Sequence, residues 1–277
     1  MMRGQKTMVT AVRRPNGGLV LDTQPLSGFY AGRWRRMPLV RGVIVLIETL
    51  VLGIRSLLYS ANVSLEEEKA EISGWFVWLL LLVSVGVAVV LFFMAPLFLA
   101  NLIKPYITSA IVFSLVEGLI RVAIFVIYLW LISMVPDIKR YFAYHGAEHK
   151  SINAYEAGVP LEVEAVKRYG TAHRRCGTSF LFVVLVIAII VFALVGLPGL
   201  GLLVLSRILL IPVIAGLGYE VIYFSANHTD NAVVRALSAP GLWLQAMTTR
   251  EPTDDQLEVA LAALSRAVEL DQAEEVT

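Results

Sequence analysis

The chain has very little charge and almost no cysteine. Lys, Arg, Asp and Glu make up 16% of its 277 residues, against 57% hydrophobic. Ordinary soluble domains carry roughly 25% charged residues. With so little polar surface, a fold of this size cannot hide its apolar content in a soluble core, and a bilayer is the solvent that fits. The single cysteine, Cys176, excludes an intramolecular disulfide framework and is compatible with a reducing cytosol. The arginines near the start are not followed by an apolar core and cleavage site, so no signal peptide is expected. The net charge of +1 does not favour nucleic acid, since the basic residues flank apolar segments where topology already accounts for them. A phosphate-cradling GxxxxGK loop is also missing.

What is present is a series of long apolar runs. A spanning helix needs about 20 mostly apolar residues, and residues 74–99, 107–135, 179–197 and 202–225 qualify. NLIKPY at 101–106 and the glycine-proline turn GLPGLG at 196–201 read as the short links. Residues 39–60 are long enough to span, but Arg41, Glu48 and Arg55 recur every seven residues and share one helical face. Such a helix lies in the membrane interface or packs its charged face against protein. Residues 1–38 hold seven basic residues and one acidic, and 136–178 hold seven more basic residues. If 39–60 does not cross, both basic regions and the acidic EEEKAE at 66–71 fall on one side, the cytosolic one.

The expectation is an all-α membrane protein of about four transmembrane helices, with both termini cytosolic. A basic segment (1–38) precedes an amphipathic or re-entrant helix (39–60). A first transmembrane hairpin (74–135), a polar cytosolic insert (136–178), a second hairpin (179–225) and a cytosolic helical tail (226–277) follow. In the tail, Thr253 reads as an N-cap with Gln256 at the capping-box position. Leu257, Leu261, Leu264 and Val268 make one apolar stripe, which docks on the body or on a protein partner.

The polar insert carries the chemistry. In YHGAEHKSINAYEAG, at 144–158, His145, Glu148, His149, Ile152 and Glu156 share one helical face. Gly158 and Pro160 supply the stop. HRRC at 173–176 adds a third histidine and the only thiol. Imidazole and thiolate suit zinc, with iron second. HGAEH also fits the HxxEH pattern of inverted zinc proteases, in which Glu148 would activate water as general base. His145 and His149 are the expected metal ligands, and His173, Cys176 or Glu156 would complete the set. Four protein ligands would make a structural site, and three would leave a position open for chemistry. The competing reading has the histidines hydrogen-bonded to lipid headgroups or backbone. Gly146, inside the helix, permits close approach of another backbone or a ligand, and Thr178 or Ser179 reads as the cap of the following span. Among the intramembrane charges, Glu117 and Arg121 read as an i, i+4 pair. Glu220 pairs with Arg207, Arg55 or Arg41, or supports the histidine site.

YHGAEHKSINAYEAG, RRCGTSFL at 174–181, PVIAGLGYE at 212–220 and LQAMTTREPTDDQLEVALAAL at 244–264 together resemble the YqhQ-like family. These are uncharacterised bacterial multi-pass membrane proteins often labelled predicted metal-dependent enzymes. The resemblance runs from MMRG to about residue 264, and relatives carry a further glycine-rich stretch ending EGVMMRG. It implies the bacterial cytoplasmic (inner) membrane, and His145, Glu148, His149, His173 and Cys176 match the family's polar motifs. Two functions are expected to compete. One is a membrane-embedded metal-dependent enzyme, a hydrolase using zinc. The other is a non-catalytic scaffold with a structural metal or polar cluster. Transport is a weaker third, since no internal repeat or paired broken helices occur.

Overall fold

In the computed structural model, which describes residues 1–27, 37–65, 74–173, 176–196, 200–228 and 231–275, the chain opens with an antiparallel sheet. Its strands are β1 (Met2–Arg3), β2 (Thr7–Arg13) and β3 (Leu19–Pro25), in that order. The Asn16–Gly17 turn closes the β2–β3 hairpin, with Gly17 at φ 88°, a left-handed conformation that favours glycine.

Nine helices follow among the described residues: α1 (Val40–Leu65), α2 (Gly74–Tyr106), α3 (Ala110–Ile132), α4 (Pro136–Glu156), α5 (Val163–Val166), α6 (Gly177–Val195), α7 (Leu200–Asn227), α8 (Ala232–Thr248) and α9 (Asp254–Glu275). Apart from the sheet the protein is all-α, and five helices are long and apolar enough to cross a membrane: α1, α2, α3, α6 and α7. The fifth, beyond the four expected, is α1, a continuous helix with no re-entrant break. NLIKPY belongs to α2 rather than to a link. The turn comes at 107–109, where Ser109 caps α3 by accepting from the Val112 N–H. Pro96 has no N–H to offer, and just before it α2 widens to a π turn over Val90–Met94. EEEKAE at 66–71, Arg174, Arg175 and residues 197–199 of GLPGLG lie outside the described residues.

Glu117 on α3 is buried between two arginines. Arg121 pairs with it along the helix, and Arg207 of α7 donates to its two oxygens at 2.9 and 2.8 Å. The pair expected within one helix is thus a triad that ties two helices together. Phe192 of α6 lies under Arg207, its centroid 4.9 Å from the guanidinium carbon.

A second core forms beyond the apolar helices, where the sheet, α4, α5 and α9 pack Met2, Val9, Ala147, Val166, Leu257 and Leu264 together. The tail stripe therefore docks on the body. The N–H of Thr253 donates to Gln256 Oε1 at 3.0 Å, as the capping box predicts.

Helix α1 has two unlike faces. Ile44, Glu48, Leu52 and Ser56 are buried inward, while Ile47, Leu50 and Leu57 are exposed. Arg3 Nε donates to Glu48 at 2.8 Å, and the Thr10 and Ser56 hydroxyls are 2.8 Å apart. At its start α1 crosses α7 closely: a Cβ on Gly42 would lie 2.6 Å from Tyr219 Cβ. Arg41 pairs with Glu220, which also accepts from the Leu39 N–H at 3.0 Å. Two of the three charges on the expected face, Arg41 and Glu48, are therefore packed on protein, and Arg55 is exposed.

Candidate metal centre

Helix α4 begins with Pro136 at its first position and ends at Ala157, with Gly158 following at φ 70°. Within it His145 and His149 stand one turn apart, ring centroids 4.3 Å from each other. Cys176 arrives from the far end of the insert. It is the N-cap of α6, its sulfur accepting from the Thr178 N–H at 3.4 Å, so neither Thr178 nor Ser179 is the cap. Cys176 Sγ lies 3.3 Å from His145 Nε2. One ligand atom from each of His145, His149 and Cys176 falls within 4.8 Å of the others. His149 is 3% exposed and Cys176 7%, so the group is desolvated.

The far sides of both rings are held by carbonyls. His145 Nδ1 is 2.9 Å from the Thr248 oxygen, and His149 Nδ1 is 2.6 Å from that of Thr171. A carbonyl only accepts, so each Nδ1 carries the proton and donates. That arrangement leaves Nε2 of each ring as the atom offered to the cluster, with the other nitrogen held by backbone as in metal-bound histidines. Burial pushes the Cys176 thiol up, but hydrogen bonds from His145 and His149 outweigh burial and bring it down to about 4. Burial pushes His145 down, and its contact with Cys176 more than reverses that, leaving it raised. The two shifts have one cause, the contact between the Cys176 sulfur and the His145 ring, which favours the charged form of each.

The remaining site candidates lie around this group. His173 is 5.7 Å from His149, ring to ring, and its Nε2 is 3.6 Å from Glu156. Glu148 is half-buried and faces a cavity of about 430 Å³ that also reaches His145. Its Oε2 is 3.8 Å from the Met1 amino nitrogen. Glu220 sits with Arg41 at the α1–α7 crossing.

Several residues that build the centre were not singled out from sequence. Gln245 of α8 is fully buried, accepts from the His173 N–H at 2.7 Å and donates to the His173 carbonyl at 2.9 Å. It fixes the loop that carries both the Thr171 carbonyl and Cys176. Thr248 supplies the other carbonyl, three residues along the same helix. Both fall within LQAMTTREPTDDQLEVALAAL, but nothing in that stretch marks them as partners of the histidine cluster. The signal for Gly146 was legible: a Cβ there would lie 2.1 Å from the Arg250 oxygen, so α4 and the segment after α8 meet backbone to backbone.

Fold and site together define a multi-pass membrane protein with a His/His/Cys cluster at the end of one of its apolar helices, α6. The chain belongs to the family described as "Protein of unknown function (DUF1385)", which matches residues 37–270. It is similar to "Uncharacterized protein YqhQ" of Bacillus subtilis (strain 168), 34% identical over 286 residues that cover 98% of this chain and 90% of that protein. No solved structure matches it.

Proposed function

We propose that the protein is a membrane-embedded metal-dependent enzyme, a hydrolase, whose divalent ion is held by His145, His149 and Cys176. The observation that carries this reading is the convergence of two imidazoles and one sulfur, each imidazole oriented by a backbone carbonyl on its Nδ1. Nitrogen and sulfur donors of this kind fit zinc best and iron second. Three protein donors are the number found in catalytic rather than structural zinc sites. Zinc held there supplies Lewis acidity, polarising a carbonyl or phosphoryl oxygen. Glu148, on the same helix face and lining the cavity, is the general base that takes a proton from attacking water. His173 and Glu156 flank the ligands and hold the His149 side of the site. The centre faces the cytosol of a bacterial cytoplasmic membrane, with both termini on that side.

Elemental mass spectrometry of the detergent-purified protein tests the reading. One zinc or iron per chain is expected, lost in the His145→Ala/His149→Ala double variant. No metal in either protein, after reloading, refutes it.

A second reading has support from one feature. Cys176 caps α6 while the histidines tie α4 to the backbone at Thr171 and Thr248, so a metal here would also staple the insert to the bundle as a scaffold. Cobalt substitution separates the two. An absorption spectrum that shifts when azide is added indicates an open coordination position, whereas a closed four-ligand site gives a spectrum that does not respond.

A further inference from the structure

The cavity beside His145 has two walls of opposite character. One is α4, whose Arg140, Tyr141, His145 and Glu148 line it. The other includes Ser56, Ser60 and Ser64 of α1, spaced at i, i+4 and i+8 so that their hydroxyls form a row along one helix face. Its volume of about 430 Å³ is that of a small-molecule site.

Its place in the fold says what kind of molecule reaches it. Helix α4 starts four residues after α3, an apolar helix long enough to span, has ended at Ile132. Arg140 and Tyr141 therefore stand within about 8 Å of chain rise from the start of α4, at the depth where headgroups lie. Helix α1 closes the opposite side. Ile47 and Leu50 are exposed on its outer side, Leu57 is an apolar residue at the cavity itself, and Glu48 and Ser56 bond to the sheet. A helix with an apolar outer stripe and a polar sheet on its inner face lies along the membrane surface. The cavity is thus bounded by an interfacial helix on one side and the foot of a spanning helix on the other. Of its two arginines, Arg13 is bound to Glu258 at 2.7 Å, whereas Arg140 is exposed and has no ion-pair partner among the described residues.

The geometry points to a phospholipid as the molecule that enters. Its tails would stay in the bilayer beside α1, its phosphate would meet Arg140 at the mouth, and its polar head would extend between the serine row and Glu148 toward His145. This deepens the hydrolase reading, because it names a membrane lipid as the substrate class of that site.

The test uses the full chain in nanodiscs of equal parts phosphatidylethanolamine and phosphatidylglycerol, released into detergent and weighed by native mass spectrometry. Wild type is expected to retain one phospholipid through a detergent wash. Ser60→Trp, which fills the cavity, and Arg140→Glu, which alters only an exposed side chain, should each lower that retention about tenfold, the effect of removing one charge-assisted hydrogen bond. Ser84→Trp, on the exposed face of α2, should not lower it. Equal retention in all four proteins overturns the proposal, as does an equal loss in Ser84→Trp. Displacement of the lipid by water-soluble glycerophosphoethanolamine at matched concentration also overturns it, in favour of a soluble phosphate ester. Metal content measured on the same samples keeps the two readings apart. Lipid loss in the variants with metal absent throughout refutes the metal centre alone, while metal present with no lipid effect refutes the lipid alone.

Discussion

Gly146→Ala is the substitution on which two physical effects disagree in sign, and the structure says which wins. Helix propensity favours alanine by about 1 kcal/mol in a helix interior. Against this, the added Cβ would meet the Arg250 carbonyl oxygen at 2.1 Å, and the obstructing atom is backbone, not the end of a flexible side chain. To reach ordinary van der Waals separation, α4 and the Thr248–Arg250 segment must move apart by roughly 1 Å, and overpacking of this kind costs about 1–3 kcal/mol. Two hydrogen bonds bridge the same gap: Arg250 N–H to the Phe142 oxygen at 2.9 Å, and His145 Nδ1–H to the Thr248 oxygen at 2.9 Å. Stretching both forfeits about 1 kcal/mol each. The balance is a destabilisation of about 2–4 kcal/mol, which for a protein of this size lowers Tm by roughly 4–8 °C. Because His145 is pulled from the carbonyl that orients it, metal affinity should fall with stability, about tenfold or more. Thermal unfolding followed by tryptophan fluorescence, with metal retention on the same samples, reads both. Gly53→Ala is the control, since a Cβ there meets nothing within 4 Å and only the propensity gain applies. A Gly146→Ala protein as stable as the Gly53→Ala protein would refute the backbone contact and the site geometry built on it.

Four further outcomes are expected. The metal-free protein should be alkylated by iodoacetamide at a rate nearly flat between pH 6 and 9, because Cys176 ionises at about 4, and unfolding should restore the steep rise of an ordinary thiol. Gln245→Leu removes two hydrogen bonds to the His173 backbone and should cost about 1–3 kcal/mol with a matching loss of metal affinity. Glu117→Gln leaves Arg121 and Arg207 buried without their counter-ion and should cost about 3–5 kcal/mol, whereas Glu220→Gln, remote from the cluster at the α1–α7 crossing, should leave metal content unchanged.

The centre was legible from sequence where its geometry is local. His145 and His149 share a helix face because 3.6 residues make a turn, and Gly146 marked the close approach for the same reason. The part not legible is the part made by chain segments far apart. HRRC marked Cys176 as a candidate ligand from the insert's other end, but the two carbonyls that set the tautomers belong to Thr171 and Thr248. Backbone carbonyls carry no side-chain signature, so nothing in the residue types of Thr171 or Thr248 announces them. Gln245 is an ordinary polar letter in an apolar helix until its two hydrogen bonds are seen. The N-terminal sheet is a different case, because its signal was present: an Asn-Gly pair lies between TMVTAVR and LVLDTQP, the pattern of a hairpin. Seven basic residues dominate the composition of 1–38, and the alternation within it is the weaker of the two signals.

Helix α1 shows why counting apolar residues settles a membrane protein's spans only in part. Mean hydropathy sums over every face of a helix, and by that sum α1 qualifies beside α3 and α7. A spanning helix must also be free of fixed polar partners over the stretch that meets lipid, because each polar group left in hydrocarbon costs several kcal/mol. In α1 the inward polar groups are bound to the sheet: Glu48 by Arg3, Ser56 by Thr10. Those strands carry charge of their own, as at half-buried Arg13 and Asp22, and such a sheet has no place in a bilayer core. The heptad spacing of Arg41, Glu48 and Arg55 held this information in the sequence, because it is directional and records which face is polar rather than how apolar the helix is. The surface placement of α1 proposed for the lipid site leaves four crossings and sets the serine row of the cavity at the level of the headgroups.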